Sequence, residues 1–149
     1  MMNPIKIIVG GSHTDERGTI SFINDFDMTP VKRFYQIKHP NTSIIRAWRG
    51  HQIEQRWFSV SKGAFLIKLV KITNWDMPDK NSFQEKFVLK VADYSVLHVP
   101  AGYASSLQAL EEDSELLVFA DYDIDHARQD DYLFPSDYFI ASKDSKNEN

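Results

Sequence analysis

Arg49-Gly50-His51-Gln52-Ile53-Glu54-Gln55-Arg56, followed by Gly63, is the stretch of this chain that decides its fold. The stretch lies between the strand-like run Ser43 to Arg49 and the run Trp57 to Ser61, and a further run follows Gly63. Because glycine adopts a positive φ without steric cost, Ser61-Lys62-Gly63 predicts a tight hairpin between the last two runs. We therefore expect consecutive antiparallel strands around the charged stretch.

Short runs rich in β-branched, aromatic or alternating side chains extend over most of the chain. They are Gly18 to Ile23, Val31 to Ile37, Ser43 to Arg49, Trp57 to Ser61, Ala64 to Lys71, Phe83 to Lys90, Ser95 to Val99, Ser105 to Leu110 and Glu115 to Asp121. Runs at this spacing predict an antiparallel β-sandwich or barrel. We expect helix only near Asp125 to Tyr132 or at the C-terminus.

Length and composition indicate one domain without covalent staples. A chain of 149 residues can bury a substantial core, and we assign residues 1–140 to it. Residues 141–149 are polar, and we expect a disordered tail. The chain has no cysteine, which excludes a disulfide framework and a thiolate nucleophile.

Charge and hydropathy restrict the partners. The chain has 17 basic and 21 acidic side chains, a net charge of −4 and no basic block, so we expect no nucleic-acid partner. No apolar run approaches the length of about 18 residues that a membrane span needs, and the N-terminal run has neither a long apolar core nor a small-residue cleavage site, so we expect no signal peptide. We therefore expect a soluble cytoplasmic protein in which locally placed arginines meet any anionic ligand.

The stretch resembles the motifs of metal-binding cupins in spacing but not in ligands. Those motifs read His-x-His, then Glu after four residues and Gly after six more, and later Pro-x-Gly-x-x-His. The second motif here is Pro100-Ala101-Gly102-Tyr103-Ala104-Ser105, so the four ligand positions are Arg49, His51, Arg56 and Ser105. A guanidinium has no lone pair to donate to a metal. We expect no metal and no other cofactor, and the frame favours cupins that bind an anionic substrate and move protons.

Further motifs resemble those of the sugar-nucleotide cupins. They are Asp15-Glu16-Arg17-Gly18, Arg46 to His51, Trp57 to Phe65, Val99 to Ala104, Val118 to Tyr122 and Asp130 to Tyr138. This group includes the dTDP-4-dehydrorhamnose 3,5-epimerases and the dTDP-4-keto-6-deoxyglucose 3,4-ketoisomerases of the WxcM/FdtA type. The resemblance implies an all-β, single-domain, antiparallel jelly-roll barrel (cupin, RmlC-like). It also implies a homodimer, often with N-terminal strand exchange, and a nucleotide-sugar substrate in deoxysugar and surface polysaccharide biosynthesis.

The histidines of this group separate its activities. Where the 3,5-epimerases carry two histidines, this chain has Arg49 and Ser105. Neither histidine of the 3,5-epimerases is therefore present. The ketoisomerases carry His-x-His, of which His51 remains. The resemblance also matches Tyr122 to the tyrosine acid of the epimerases and Tyr35 to a tyrosine of the ketoisomerase pocket. The sequence thus disfavours ordinary 3,5-epimerisation and leaves a ketoisomerase-like site or a site that only binds.

The chemistry assigns the candidate catalytic residues. Moving a carbonyl along a keto-sugar, or inverting a neighbouring carbon, needs a base, an enediolate-stabilising charge and an acid. His51 is the candidate base, since an unperturbed histidine has a pKa of about 6.5. Strand side chains alternate, so Arg49 shares the face of His51, and we expect Arg49 to stabilise the enolate and lower the pKa of His51. Tyr122 or Tyr35 would return the proton.

Five residues are candidates for substrate binding. They are Arg46, Gln55, Arg56, Tyr103 and Ser105. Gln55 and Arg56 can hold the sugar or its phosphates by directed hydrogen bonds. Alternation places Arg46 on the face opposite Arg49 unless a bulge near Gly50 changes it.

Structural alternatives accompany these assignments. His51 can be satisfied by a hydrogen bond inside the barrel, and the arginines can pair with Glu54 or Asp121. The aromatic residues can pack the interior, and we expect Asp130-Asp131 at the surface. Three functions stay open. They are a metal-independent isomerase or epimerase, a catalytically silent cupin that binds a sugar nucleotide as a partner or regulator in polysaccharide assembly, and an oxygenase-like metal cupin.

Overall fold

Two five-stranded antiparallel sheets face each other, and a separate two-stranded hairpin lies beside them. The computed structural model describes residues 4–140. The strands are β1 Lys6–Val9, β2 Gly11–Asp15, β3 Gly18–Phe22, β4 Arg33–His39, β5 Ile45–His51, β6 Arg56–Lys62, β7 Ala64–Lys71, β8 Glu85–Lys90, β9 Ser95–Val99, β10 Tyr103–Ala109, β11 Ser114–Ala120 and β12 Tyr132–Leu133. The first sheet has the order β1-β9-β6-β11-β4, the second the order β12-β5-β10-β7-β8, and β2-β3 form the hairpin.

The sequence runs correspond to strands β3 to β11, so the all-β prediction is confirmed. The helix α1, Ile124–Ala127, and a 3₁₀ turn at Arg128–Asp130 lie where helix was expected. Strands β1, β2 and β12 were not among the predicted runs. The predicted tail, 141–149, lies outside the described residues. Within residues 4–140, no helix is long and apolar enough to cross a membrane.

The turn at Gly63 lies where it was predicted, but the predicted hairpin pairing is wrong. Strand β6 belongs to the first sheet and β7 to the second, so the turn carries the chain between the sheets. Gly63 has a φ of 73°, and a Cβ there would clash with the hydroxyl oxygen of Ser114. That hydroxyl accepts a hydrogen bond from the Ala64 amide at 3.2 Å. Glycine is therefore required both by the backbone conformation and by the close approach of the Ser114 strand.

The space between the sheets holds the main apolar core. Its fully buried members include Phe58, Phe65, Leu97, Leu116 and Val118. Each such side chain stabilises the fold by about 1.5–3 kcal/mol through burial alone. A second cluster lies on the outer side of the second sheet, where Trp48 packs against Phe139.

A β-bulge in β5 changes which side chains face inward. Arg49 pairs with Ser105 and Arg46 with Leu107, so Ala47 and Trp48 together oppose one residue of β10. The extra residue restores the inward direction of Arg46. The predicted opposite faces of Arg46 and Arg49 are therefore wrong, because the bulge lies at residues 47–48 rather than near Gly50.

Candidate active site

A cavity of about 770 Å³ opens between β4, β5 and the segment 124–133. Its described lining carries six cationic side chains and a single carboxylate, that of Asp131. The cations are Arg33, Lys38, Arg46, Arg49, Arg56 and Arg128. A protein with a net charge of −4 thus gathers a local excess of positive charge, which is what an anionic ligand requires.

His51, at the end of β5, is buried in the wall of this cavity with 6% of its surface exposed. Its Nδ1–H donates a hydrogen bond to the main-chain carbonyl of Asp130 at 2.7 Å. Because a carbonyl can only accept, Nδ1 carries the proton and Nε2 of the neutral ring keeps its lone pair. Nε2 is buried and has no hydrogen-bond partner among the described residues. A neutral histidine in this tautomer can accept a proton at Nε2.

Burial lowers the pKa of His51 from its ordinary value, and the nearby Arg56 guanidinium lowers it further. Glu54 and Asp130 oppose this shift of the pKa with smaller effects. The pKa of His51 is therefore lowered as expected, but the causes are burial and Arg56 rather than Arg49. The ring is neutral near pH 7 and available as a base.

A buried carboxylate holds two of the arginines. Glu54 is fully buried, and its two oxygens lie 2.9 Å from Arg33 Nη2 and 2.6 Å from Arg56 Nε. The guanidinium carbons of both arginines lie near the ring of Tyr35, at 5.4 and 5.9 Å from its centroid. Glu54 Oε2 is also 3.8 Å from His51 Nδ1. The expected pairing of Arg56 with Glu54 is confirmed, and it leaves the pair of arginines directed toward Tyr35.

Asp130 anchors the loop that follows His51. Its carboxylate accepts hydrogen bonds from the amides of Gln52, Ile53 and Glu54 at 2.8, 2.9 and 2.7 Å. Asp130 is only 2% exposed, so its predicted surface position is wrong. Asp131 is exposed as expected, and its Oδ1 lies 2.9 Å from Arg49 Nε.

Most of the predicted site residues meet at the cavity. Its lining includes Tyr35, Arg46, Arg49, His51, Arg56 and Ser105. Tyr103 lines a small recess next to it, together with His51 and Arg56. Burial, with a smaller effect of Glu85, raises the pKa of Tyr103 from its ordinary value.

Gln55 and Tyr122 are not among the cavity-lining residues. The Gln55 side chain bonds to the Asp121 carboxylate at 3.2 Å and accepts from His98 Nε2 at 2.8 Å. The ring of Tyr122 lies against His126, with centroids 5.5 Å apart, and its carbonyl accepts from Arg33 Nε at 3.1 Å. Of the two candidate acids, Tyr35 is the one that faces the cavity.

Sequence reasoning missed Arg33, Lys38 and Arg128 in the lining and Asp130 behind it. Arg33 had a usable signal, because it precedes Tyr35 by two residues on one strand and therefore shares its face. Asp130 had none, since its partners are 76 to 79 residues away in the chain.

The four former ligand positions of the cupin frame do come together. Arg49, His51, Arg56 and Ser105 all line the small recess. They present one imidazole, one hydroxyl and two guanidinium groups, a donor set that does not fit a metal ion. Among residues 4–140, no three His, Asp or Glu side chains are grouped so as to hold one. The groups of the recess are therefore suited to binding an anion and transferring a proton rather than to holding a metal ion.

Two facing antiparallel sheets with a polar site between them define a jelly-roll cupin of the RmlC-like class. The sequence pattern of the WxcM-like, C-terminal family (FdtA) matches residues 3–144, and the chain belongs to this family. None of the curated proteins matches the chain significantly.

Solved structures share the fold at low sequence identity. The sugar 3,4-ketoisomerase QdtA of Thermoanaerobacterium thermosaccharolyticum, in complex with TDP, is 20% identical over 99% of this chain and 98% of its own, with a TM-score of 0.68. A double mutant of ChmJ, a 3'-monoepimerase from Streptomyces bikiniensis in complex with dTDP, is 15% identical over 97% and 77%, with a TM-score of 0.75. The RmlC epimerase of Mycobacterium tuberculosis is 14% identical over 93% and 74%, with a TM-score of 0.72.

Proposed function

We propose that this protein is a metal-independent isomerase or epimerase of a nucleoside-diphosphate 4-keto-6-deoxy sugar, with dTDP as the nucleotide. The observation that carries the proposal is that His51, a buried neutral histidine whose Nε2 has no partner among residues 4–140, lines a cavity rich in cationic side chains. Membership of the WxcM-like family supports it, as do fold relatives described as 3,4-ketoisomerases or epimerases, some of them in complex with TDP or dTDP.

In this mechanism His51 Nε2 removes a proton from the carbon next to the ketone. The imidazolium that forms keeps its Nδ1–H bond to the Asp130 carbonyl. It is also stabilised by the Glu54 carboxylate, whose Oε2 lies 3.8 Å from Nδ1. A neutral base in a buried wall thus becomes charged beside an existing anion, which limits the cost of the proton transfer.

The enediolate and the returning proton need other groups of the cavity. Arg49 and Arg56 provide positive charge near His51 for the enediolate oxygens. Tyr35 is the proposed acid that returns the proton, because it belongs to the cavity lining and its ring lies near Arg33 and Arg56. The remaining cations, including Arg46 and Lys38, would bind the diphosphate.

Hydrogen exchange tests the enzyme directly. The protein is incubated in D₂O with dTDP-4-keto-6-deoxyglucose, and the sugar is followed by NMR. We expect deuterium at C3 of exchanged substrate or of an epimer, or at C4 of a new 3-keto-sugar, and no exchange with the matched variant His51→Asn. His126→Asn, at an exposed position, is the control and should behave as the wild type. Absence of both label and product with wild-type protein would overturn the enzyme proposal for this substrate.

A silent sugar-nucleotide-binding cupin is the second candidate, favoured by one observation. Arg49 occupies the first position of the His-x-His pair and is tied to Asp131 rather than free. Such a protein would be stabilised by nucleotides without turning over a keto-sugar. Thermal-shift measurements with dTDP, UDP, GDP and CDP, set beside the exchange experiment, distinguish the two, since ligand binding alone raises the melting temperature.

We also propose a cytoplasmic homodimer that acts in deoxysugar and surface polysaccharide biosynthesis. The β2–β3 hairpin supports dimerisation, because Ile20 is 64% exposed and a lone two-stranded sheet is marginally stable in water. The molar mass from light scattering should be twice that of the chain. Ile20→Lys should shift it toward the monomer, and a monomeric wild type would contradict the proposal.

A further inference from the structure

Asp130 contacts two parts of the site, the histidine base and the loop that follows it. Its carbonyl accepts the Nδ1–H of His51, and its carboxylate accepts three successive amides of the loop 52–54. Glu54, the last residue of that loop, holds Arg33 and Arg56. One residue therefore contacts both the base and the loop that carries the arginine-binding carboxylate.

We infer that Asp130 is a positioning residue with two roles. Its carbonyl fixes the tautomer of His51, and its carboxylate fixes the 52–54 loop and thereby the Arg33–Arg56 pair. This inference rests on the proposed function for its effect on turnover. Asp130 itself is absent from the described cavity lining, so it acts through other residues and not on the substrate.

The carboxylate is suited to this role by its charge and its number of acceptors. Two carboxylate oxygens offer about four acceptor sites and can satisfy three amides that point the same way. An asparagine has one acceptor oxygen, and its NH₂ group would face at least one of these amides. The loop would lose its anchor although the side chain keeps its size. Ile53, with 58% of its surface exposed, contributes little packing that could replace the anchor.

The tautomer bond depends on the same anchor. The Asp130 carbonyl lies 2.7 Å from His51 Nδ1 only while the 3₁₀ turn 128–130 stays against the loop. If the turn moves, neutral His51 can place its proton on Nε2 instead, and the ring then has no lone pair toward the cavity. Misplacement of a reacting group by about 1 Å can cost about 10²-fold in rate.

The test compares Asp130→Asn with Asp125→Asn, which removes the same charge from an exposed position of α1. The ¹⁵N spectrum of the histidine side chains reports the tautomer of His51 without any need for turnover. We expect Asp130→Asn to gain the Nε2–H tautomer and to lose about 10²-fold in kcat. Asp125→Asn should keep the wild-type spectrum and kcat.

Two results would overturn the inference. One is an Asp130→Asn protein with the wild-type tautomer and a kcat close to that of Asp125→Asn. The other is a wild-type protein in which His51 carries its proton on Nε2 or the amides of 52–54 exchange rapidly. These wild-type measurements need no variant, so they test the inference even if Asp130→Asn does not fold. If the wild type turns over no keto-sugar, the proposed function fails, while the tautomer measurement still tests Asp130.

Discussion

The two ends of the space between the sheets are built by the same strands but have opposite character. Inward-facing positions are polar at one end of each strand and apolar further along it, with Ile37 and Leu107 still among the residues that line the cavity. The succession is Arg33, Tyr35 and then Ile37 on β4, Arg56 and then Phe58 and Val60 on β6, and Ser105 and then Leu107 and Ala109 on β10. On each strand, the polar residues of the site and the apolar residues of the core are thus consecutive inward-facing positions.

Each end contains a buried histidine, and the two differ in their partners. His51 donates a hydrogen bond from Nδ1 and lines the cavity, and its buried Nε2 has no partner within the described part of the chain. His39 is fully buried beside Phe65, with ring centroids 5.4 Å apart, and neither of its nitrogens has a partner among the described residues. Burial alone therefore does not mark a functional histidine, because His39 is at least as buried as His51. What distinguishes His51 is a hydrogen bond that orients its Nδ1 and a position in the lining of the cavity.

The largest effect is expected at the polar end. His51→Asn should lower kcat by about 10²–10⁴-fold, because it removes the proposed general base. The Kd for dTDP should stay within about threefold, since the cations of the cavity remain. Steady-state kinetics and calorimetric titration measure the two quantities. Unchanged turnover would remove His51 from the catalytic role.

Glu54→Gln should be the most destabilising change among the site residues. It leaves two partly buried guanidinium groups without their anion, which costs about 3–5 kcal/mol in the free energy of unfolding. Denaturant unfolding measures this cost. Glu111→Gln, at an exposed position in a turn, is the control and should change the free energy by less than about 0.5 kcal/mol. Equal values for the two variants would contradict the structural importance of the Glu54 network.

At the apolar end, Leu97→Ala should cost about 2–5 kcal/mol in the free energy of unfolding because Leu97 is fully buried. Its effect on dTDP affinity should be negligible, since Leu97 is not among the cavity-lining residues. The control is Leu110→Ala at a partly exposed position, where denaturant unfolding should show a much smaller loss. A large loss of dTDP affinity in folded Leu97→Ala would show that the two ends are not separable.

The smallest effect concerns pH. Burial, with a smaller effect of Arg46, lowers the pKa of His39, and burial also lowers the pKa of His51 and His98. The folded protein therefore binds fewer protons than the unfolded chain as pH falls below about 6.5. Stability should be full above that pH and decline toward the lower folded-state pKa values, by at most about 1.4 kcal/mol per pH unit for each histidine.

His39→Phe should reduce this acid dependence, because it replaces an unpartnered ring by an apolar one of similar size beside Phe65. The free energy of unfolding, measured between pH 7 and 5, should fall less steeply than in the wild type. His13→Gln, at an exposed position, serves as control. A slope that is the same in all three proteins would show that His39 does not contribute.

The sequence predicted features that depend on neighbouring residues and failed where distant ones decide. Strands β3 to β11 were predictable because side-chain alternation is local, and His51 with Arg49 followed from spacing in one strand. The turn at Gly63 was predictable in place, but which sheet the following strand joins depends on non-local pairing. The burial of Asp130 could not be predicted, since its chemistry equals that of exposed Asp131 and only its distant partners distinguish the two.

The bulge in β5 makes this strand unequally tolerant of changes in length. If Ala47 were deleted, Arg46 and Arg49 would be two residues apart, a spacing at which regular alternation directs both toward the cavity. Insertion of one more residue would leave β5 with two extra residues opposite β10, because the strand already has one extra residue in the bulge. A single-codon deletion at this point of the gene should therefore keep both arginines in the cavity, whereas a single-codon insertion should move one of them out of its register with β10.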